Sequence, residues 1–231
     1  MGLIFFVFGA IAGSAANAVI DRLPRNESWL RGRSHCDKCK HTLGFWDLIP
    51  LLSFVFLGGK CRYCREPIVV RNFWVELMMG LGFVMLPWQL WAIFWVTVVI
   101  AVMDWETKLV SELLVLIWGI LVVLQLHSFT VAQLIGTAVG VGLIGGVWAV
   151  SRGRAMGFGD VEIAAVMGWW LGWPKIAVGL WVAFIIGAIV GSYQLSVGKA
   201  RLKSEIAFGP FLIIGAWIGY IWGSNLWNLI F

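Results

Sequence analysis

Eight apolar runs, at about 3–20, 73–87, 89–104, 109–127, 130–150, 160–173, 176–195 and 206–223, leave this chain little option but helices that cross a bilayer. A helix rising about 1.5 Å per residue covers a hydrocarbon core of about 30 Å with some 20 residues, whereas barrel strands would be about ten residues long and alternating. The runs at 73–87 and 160–173 are short by that measure. Charged residues make up 13% of the chain and apolar ones 61%, against about a quarter charged in soluble domains. The predicted fold is an all-α polytopic membrane protein with about eight transmembrane helices.

The distribution of positive charge orients it. The first run has no basic residue before it and Arg22 and Arg25 after it, the reverse of a secretory signal, so it reads as a retained anchor with Met1 outside. Alternating the spans from there puts every Lys and Arg except Lys175 on the inner side, as the positive-inside rule requires. The net charge of +5 thus follows from topology, and no nucleic-acid partner is needed to explain it.

Three parts follow: a first helix at 1–20, a cytosolic insert at 21–72 and a multi-helix membrane domain at 73–231. All four cysteines lie in the insert, as Cys36, Cys39, Cys61 and Cys64, in the order C-x2-C-x21-C-x2-C. In a reducing cytosol, paired CxxC knuckles suit a tetrahedral zinc-thiolate site better than redox thiols or disulfides. Some fifty residues bury too little to fold unaided, and a metal crosslink supplies the deficit. His35 and His41 beside the first knuckle read as loop histidines, since four thiolates already complete the shell. Arg33, Lys38, Lys40, Lys60, Arg62 and Arg65 would favour anionic headgroups at the inner leaflet.

The acidic residues divide by position. Asp21, Glu27, Asp37, Asp47 and Glu66 in the insert and Glu205 in the last inner loop read as solvated, while Glu76, Asp104, Glu106, Glu112, Asp160 and Glu162 fall near span boundaries. Asp104 closes the third span and Asp160 opens the sixth. Two carboxylates at one depth suit an aspartyl protease, in which one takes a proton from water and the other polarises the scissile carbonyl. Acids at span ends can equally mark the water boundary. Gly157 and Gly159, just before Asp160, are expected to permit positive φ and close approach of another chain, or merely to serve helix packing. Ser14 and Asn17 share a helix face and read as partners of a neighbouring helix. The sixteen Trp read as lipid-facing bulk and interfacial anchors.

Taken in order, GSAANAVIDRLP at 13–24, RSHCDKCKHTL at 33–43, DLIPLLSF at 47–54, GGKCRYCREPI at 58–68, Glu76, MDWETKL at 103–109, GFGDVEIAAVMG at 157–168 and FGPFL at 208–212 resemble the type IV prepilin leader peptidases. These are bacterial inner-membrane aspartyl proteases of the GxGD class. The resemblance covers nearly the whole chain. It implies catalytic aspartates at Asp104 and Asp160, zinc at Cys36, Cys39, Cys61 and Cys64, and cleavage of prepilins or pseudopilins after a short basic leader at the cytosolic face. Many relatives also methylate the new amino terminus with S-adenosylmethionine.

The chain departs from the family pattern at Val110-Ser111-Glu112, where Ile-Pro-Asp is usual, and at Glu162, Ala15 and Asp37. These changes bear on substrate preference or pH optimum and spare every catalytic and zinc position. Because helix ends carry opposite partial charges worth about 0.3–1 kcal/mol, Asp160 at a helix start is expected to act as base and Asp104 at a helix end as proton donor. A proton- or ion-coupled transporter would use the same boundary acids, but no clear internal repeat is visible. A non-enzymatic adaptor would need only the zinc insert. Phe208-Gly209-Pro210 reads as the start of the last span.

Overall fold

The computed structural model describes residues 1–25, 27, 28, 32–126, 129–197 and 207–230. Arg31, His127, Lys199, Arg201, Lys203 and Glu205 lie outside this set. Among the described residues the chain is helical without a strand: α1 (Gly2–Arg22), α2 (Leu52–Phe56), α3 (Val70–Met85), α4 (Trp91–Thr107), α5 (Glu112–Gln125), α6 (Val131–Ser151), α7 (Phe158–Leu171), α8 (Lys175–Ser196) and α9 (Gly209–Ile230). Each apolar run holds one helix. By length and composition, four stretches are able to cross a membrane: Gly2–Arg25, Trp88–Thr107, Val131–Ser151 and Lys175–Ser196. Glu112–Gln125 is a shorter apolar helix.

The chain divides into two compact units, Met1–Val99 and Ile100–Phe231. In the first, α1 packs along α3. A Cβ on Gly13 would lie 2.7 Å from the Glu76 Cα, so only a glycine lets the two backbones approach. Lipid tails are as apolar as side chains, so van der Waals contact between small residues must hold such a pair. A polar clip adds to it: Asn17 Nδ2 donates to the Asn72 carbonyl at 3.1 Å, a contact to a neighbouring helix as its sequence position predicts. The start of α4 closes against the pair, with Trp91 stacked on Phe83 at 4.5 Å and Trp95 Nε1 donating to the Ala12 carbonyl.

In the second unit α7 is the central helix, contacted by α5, α6, α8 and α9. A helix surrounded by helices need be neither long nor amphipathic. α7 is 14 residues long and buries residues all round, among them Asp160, Ile163, Ala164, Met167 and Trp170. Gly136 and Gly140 of α6 meet Gly168 and Ala164 of α7, and a Cβ on Gly136 would lie 2.5 Å from the Gly168 carbonyl oxygen. α8 and α9 make a similar contact through Gly179 and Gly215. Trp118 and Trp170 are buried here, edge to face at 6.1 Å. The expectation that Trp serves lipid contact thus fails for these two, because their rings fill space around α7.

Candidate active site and metal centre

The insert builds one centre from two copies of the same turn. In the first knuckle Cys36 N–H donates to the His41 carbonyl and Lys40 N–H to the Cys36 carbonyl; in the second Cys61 N–H donates to the Glu66 carbonyl and Arg65 N–H to the Cys61 carbonyl. The residue after each second cysteine turns left-handed, Lys40 at φ 56° and Arg65 at φ 61°. These turns bring the four Sγ atoms within 4.8 Å of one another, with Cys36 and Cys64 Sγ 3.7 Å apart and no disulfide. Four ligands at about 2.3 Å around a tetrahedral zinc need this spacing, so the donor set fits the ion. The Cys39 N–H lowers the Cys36 thiol to about 7. Cys64 is pushed up to about 11, as burial and the neighbouring thiols outweigh the lowering by the Glu66 N–H. His41 lies against the Tyr63 ring, and His35 Nδ1 is 3.4 Å from the Arg33 carbonyl.

Several acids of the insert are not simply solvated. Asp47, whose side chain is only 5% exposed, accepts the Gly44 N–H, Arg62 Nε at 2.7 Å and the Tyr63 hydroxyl. Burial alone would raise its carboxyl; the Gly44 N–H and Arg62 outweigh that and hold it below the ordinary range. Glu66 pairs with Lys38, Asp21 with Arg71 and Asp37 with Arg25. Lys38 and Arg62, expected to face lipid, are thus also internal ties.

In the second unit, Asp104 and Asp160 come from separate helices and are 4% and 6% exposed. Their carboxylates are close enough to interact electrostatically. Asp160 occupies the third position of α7, and its Oδ2 accepts the Gly157 N–H at 3.2 Å. Asp104 lies in the last turn of α4, where its main-chain carbonyl accepts the Lys108 N–H. Its Oδ2 accepts the Gly209 N–H at 3.0 Å, in a buried contact. That N–H belongs to the first residue of α9 and would have no partner within its own helix.

Two sequence expectations change here. Asp104 ends one helix but its carboxylate faces the start of another, so both acids lie at helix N-termini and the dipole argument for Asp160 as base and Asp104 as donor loses its basis. The glycines, too, act differently from expectation: Gly157 has φ −74°, and neither it nor Gly159 is left-handed. Gly159 provides space, since a Cβ there would lie 2.5 Å from the Val110 Cβ. The sequence reading missed Gly209 as a partner of Asp104; its position in FGPFL was the one available signal.

The family description for the bacterial Peptidase A24 N-terminal domain matches residues 7–90, and that for the type IV leader peptidase family matches residues 91–192. The chain belongs to the type IV leader peptidase family. It is similar to proteins named prepilin leader peptidase/N-methyltransferase. The one from Stutzerimonas stutzeri is 29% identical over 97% of this chain and 91% of that protein. The one from Pseudomonas putida is 27% identical over 96% and 90%, and the one from Pseudomonas aeruginosa 29% over 97% and 91%. No solved structure matches the chain. Leader peptidase membership disfavours the transporter and adaptor readings and agrees with a helical membrane protein.

Proposed function

We propose that this chain is an aspartyl endopeptidase that removes the short basic leader from type IV prepilins or pseudopilins, with Asp104 and Asp160 as the catalytic pair, and that it methylates the new amino terminus. The observation that carries this reading is the meeting of two buried carboxylates from separate helices, each held by one backbone N–H. A close pair of acids favours sharing one proton. The ionised member takes a proton from water as the water oxygen bonds to the scissile carbonyl carbon. The protonated member hydrogen-bonds the carbonyl oxygen, and the C–N bond breaks as the leaving amine receives a proton. Gly209 and Gly157 hold the carboxylates in register for both steps. Glu112 and Glu162, whose carboxylates also interact, supply negative charge that suits a basic leader.

Cys36, Cys39, Cys61 and Cys64 would hold a structural zinc that pins the insert. S-adenosylmethionine, when bound, supplies an electrophilic methyl group for the amine. The charge distribution supports eight spans in a bacterial inner membrane, with the N-terminus outside and the insert and aspartates facing the cytosol and its anionic lipid leaflet.

The test is mass-spectrometric detection of leader removal from a type IV prepilin by the purified protein in detergent. Wild type should cleave, and Asp104→Asn and Asp160→Asn should both be inactive while melting as wild type does. Undiminished cleavage by either variant removes that residue from the pair. Methyl transfer is read separately, as a mass gain of one methyl group on the cleaved pilin.

A further inference from the structure

Between its two knuckles the insert carries apolar surface that no described part of the chain covers. In the short helix α2, Leu52, Val55 and Phe56 lie three and four residues apart and so share one face. Phe45 and Trp46, in the single helical turn Phe45–Asp47 that packs against α2, extend that face. The exposure of these five side chains runs from 54% to 84%. A cluster of this kind marks a place where protein or lipid docks.

The depth at which α2 is held decides the partner. Its other face is fixed to α3: the Phe54 ring packs on Phe73 at 5.3 Å, and the Leu51 N–H, just ahead of α2, donates to Glu76 Oε2 at 2.8 Å. α3 lies level with α1 at two points, Asn72 beside Asn17 and Glu76 beside Gly13. α1 belongs to the stretch Gly2–Arg25, long and apolar enough to cross a membrane, and its apolar run ends at Ile20. Asn17 and Gly13 stand three and seven residues before that end, which at 1.5 Å per residue is about 5 Å and about 10 Å. Part of the insert is therefore held below the inner end of the first span, where lipid replaces water.

Charge agrees with this partner. Lys40, Lys60 and Arg65 of the knuckles are exposed, and among the described residues none has a carboxylate partner. Anionic headgroups would neutralise them. A second copy of the chain seated on the same face by two-fold symmetry would bring these like charges together.

We infer that residues 45–56 form a wedge in the bilayer, with Phe45, Trp46, Leu52, Val55 and Phe56 in the boundary between headgroups and acyl chains of the leaflet at the inner end of α1. Interfacial segments bury their apolar face about 5–10 Å into that boundary, the depth at which α2 is held, and Trp is favoured there. Lipid on one face and α3 on the other fix the height of the knuckles, so that their basic residues stay level with the phosphates. The inference rests on the membrane placement of the insert in the proposed function.

The experiment uses the full-length protein in nanodiscs of phosphatidylethanolamine and phosphatidylglycerol containing a lipid with a diazirine on its acyl chain, photolysed and mapped by peptide mass spectrometry. Acyl adducts should appear on 45–56 as well as on the spans. Val55→Asp with Phe56→Asp should lower the adducts on that peptide by about tenfold or more, with zinc content and melting temperature as in wild type. Should that pair fail to fold, Phe45→Ser with Trp46→Ser reads the same loss. Labelled spans with an unlabelled 45–56, or adducts there that persist in a folded variant, overturn the wedge. A photo-cross-linking benzoylphenylalanine at position 56 that couples to a second copy, and not to lipid, overturns it as well. The leaflet is read separately, with a membrane-impermeant amine reagent on Lys60 in sealed vesicles. Reaction from the periplasmic side alone, together with acyl adducts on 45–56, keeps the wedge and overturns the cytosolic placement.

Discussion

Adding one methyl group at position 209 would disturb a carboxylate 105 residues away in sequence. A Cβ on Gly209 would lie 2.6 Å from Asp104 Oδ2, and the yielding atom is the end of a side chain. Gly209→Ala should therefore rotate the carboxylate off its N–H donor, lowering the rate of leader cleavage about tenfold or more with little change in melting temperature. Gly159→Ala should behave differently, because its new methyl would meet Val110 Cβ at 2.5 Å; a destabilisation of about 1–3 kcal/mol is expected. Val110→Gly in the same chain, which removes that Cβ, should restore part of it in thermal melts. Asp47 has a pH signature. Its carboxyl is held below the ordinary range, so its stabilisation is present above the unfolded value of about 3.9 and is lost as pH falls through the lower folded value. Asp47→Asn should be less stable near neutral pH and show a flatter loss below about pH 4 in the same melts. Sequence position alone marked Asp47 as a surface acid; the three donors that enclose it come from residues 44, 62 and 63, which only folding gathers.

At the scale of elements, helix existence was legible because each long helix coincides with an apolar run, and the two knuckles because each repeats one spacing. Pairing of the helices was not. Gly136, Gly140 and Gly168 look like any other glycines in a chain that has 28, and only the α6–α7 contact shows why they are small. Gly168→Leu should force those backbones apart and cost about 3 kcal/mol or more, since the clash is with backbone atoms, read as loss of the folded, monodisperse protein in detergent. Zinc removal should act on the other unit. Chelation should raise amide exchange across 33–68, the knuckles and their flanks, while the α6–α7 pair keeps its protection.

For the whole molecule, the proposed pairing of Asp104 with Asp160 predicts a bell-shaped pH dependence of kcat/KM, whose two limbs belong to the pair rather than to either residue. A single sigmoid would mean that only one carboxylate titrates in the reaction. What the sequence determined by itself was an all-helical apolar chain, the order of its long apolar helices and the gathering of the four cysteines into two knuckles. These follow from hydropathy and fixed local spacing, which act along the chain. Tertiary structure alone decided that Gly209 serves Asp104, that Gly159 makes room for Val110, and that Leu51 donates to Glu76. Those contacts join residues far apart in the chain, and their energies depend on distances of a few ångströms that no local pattern encodes.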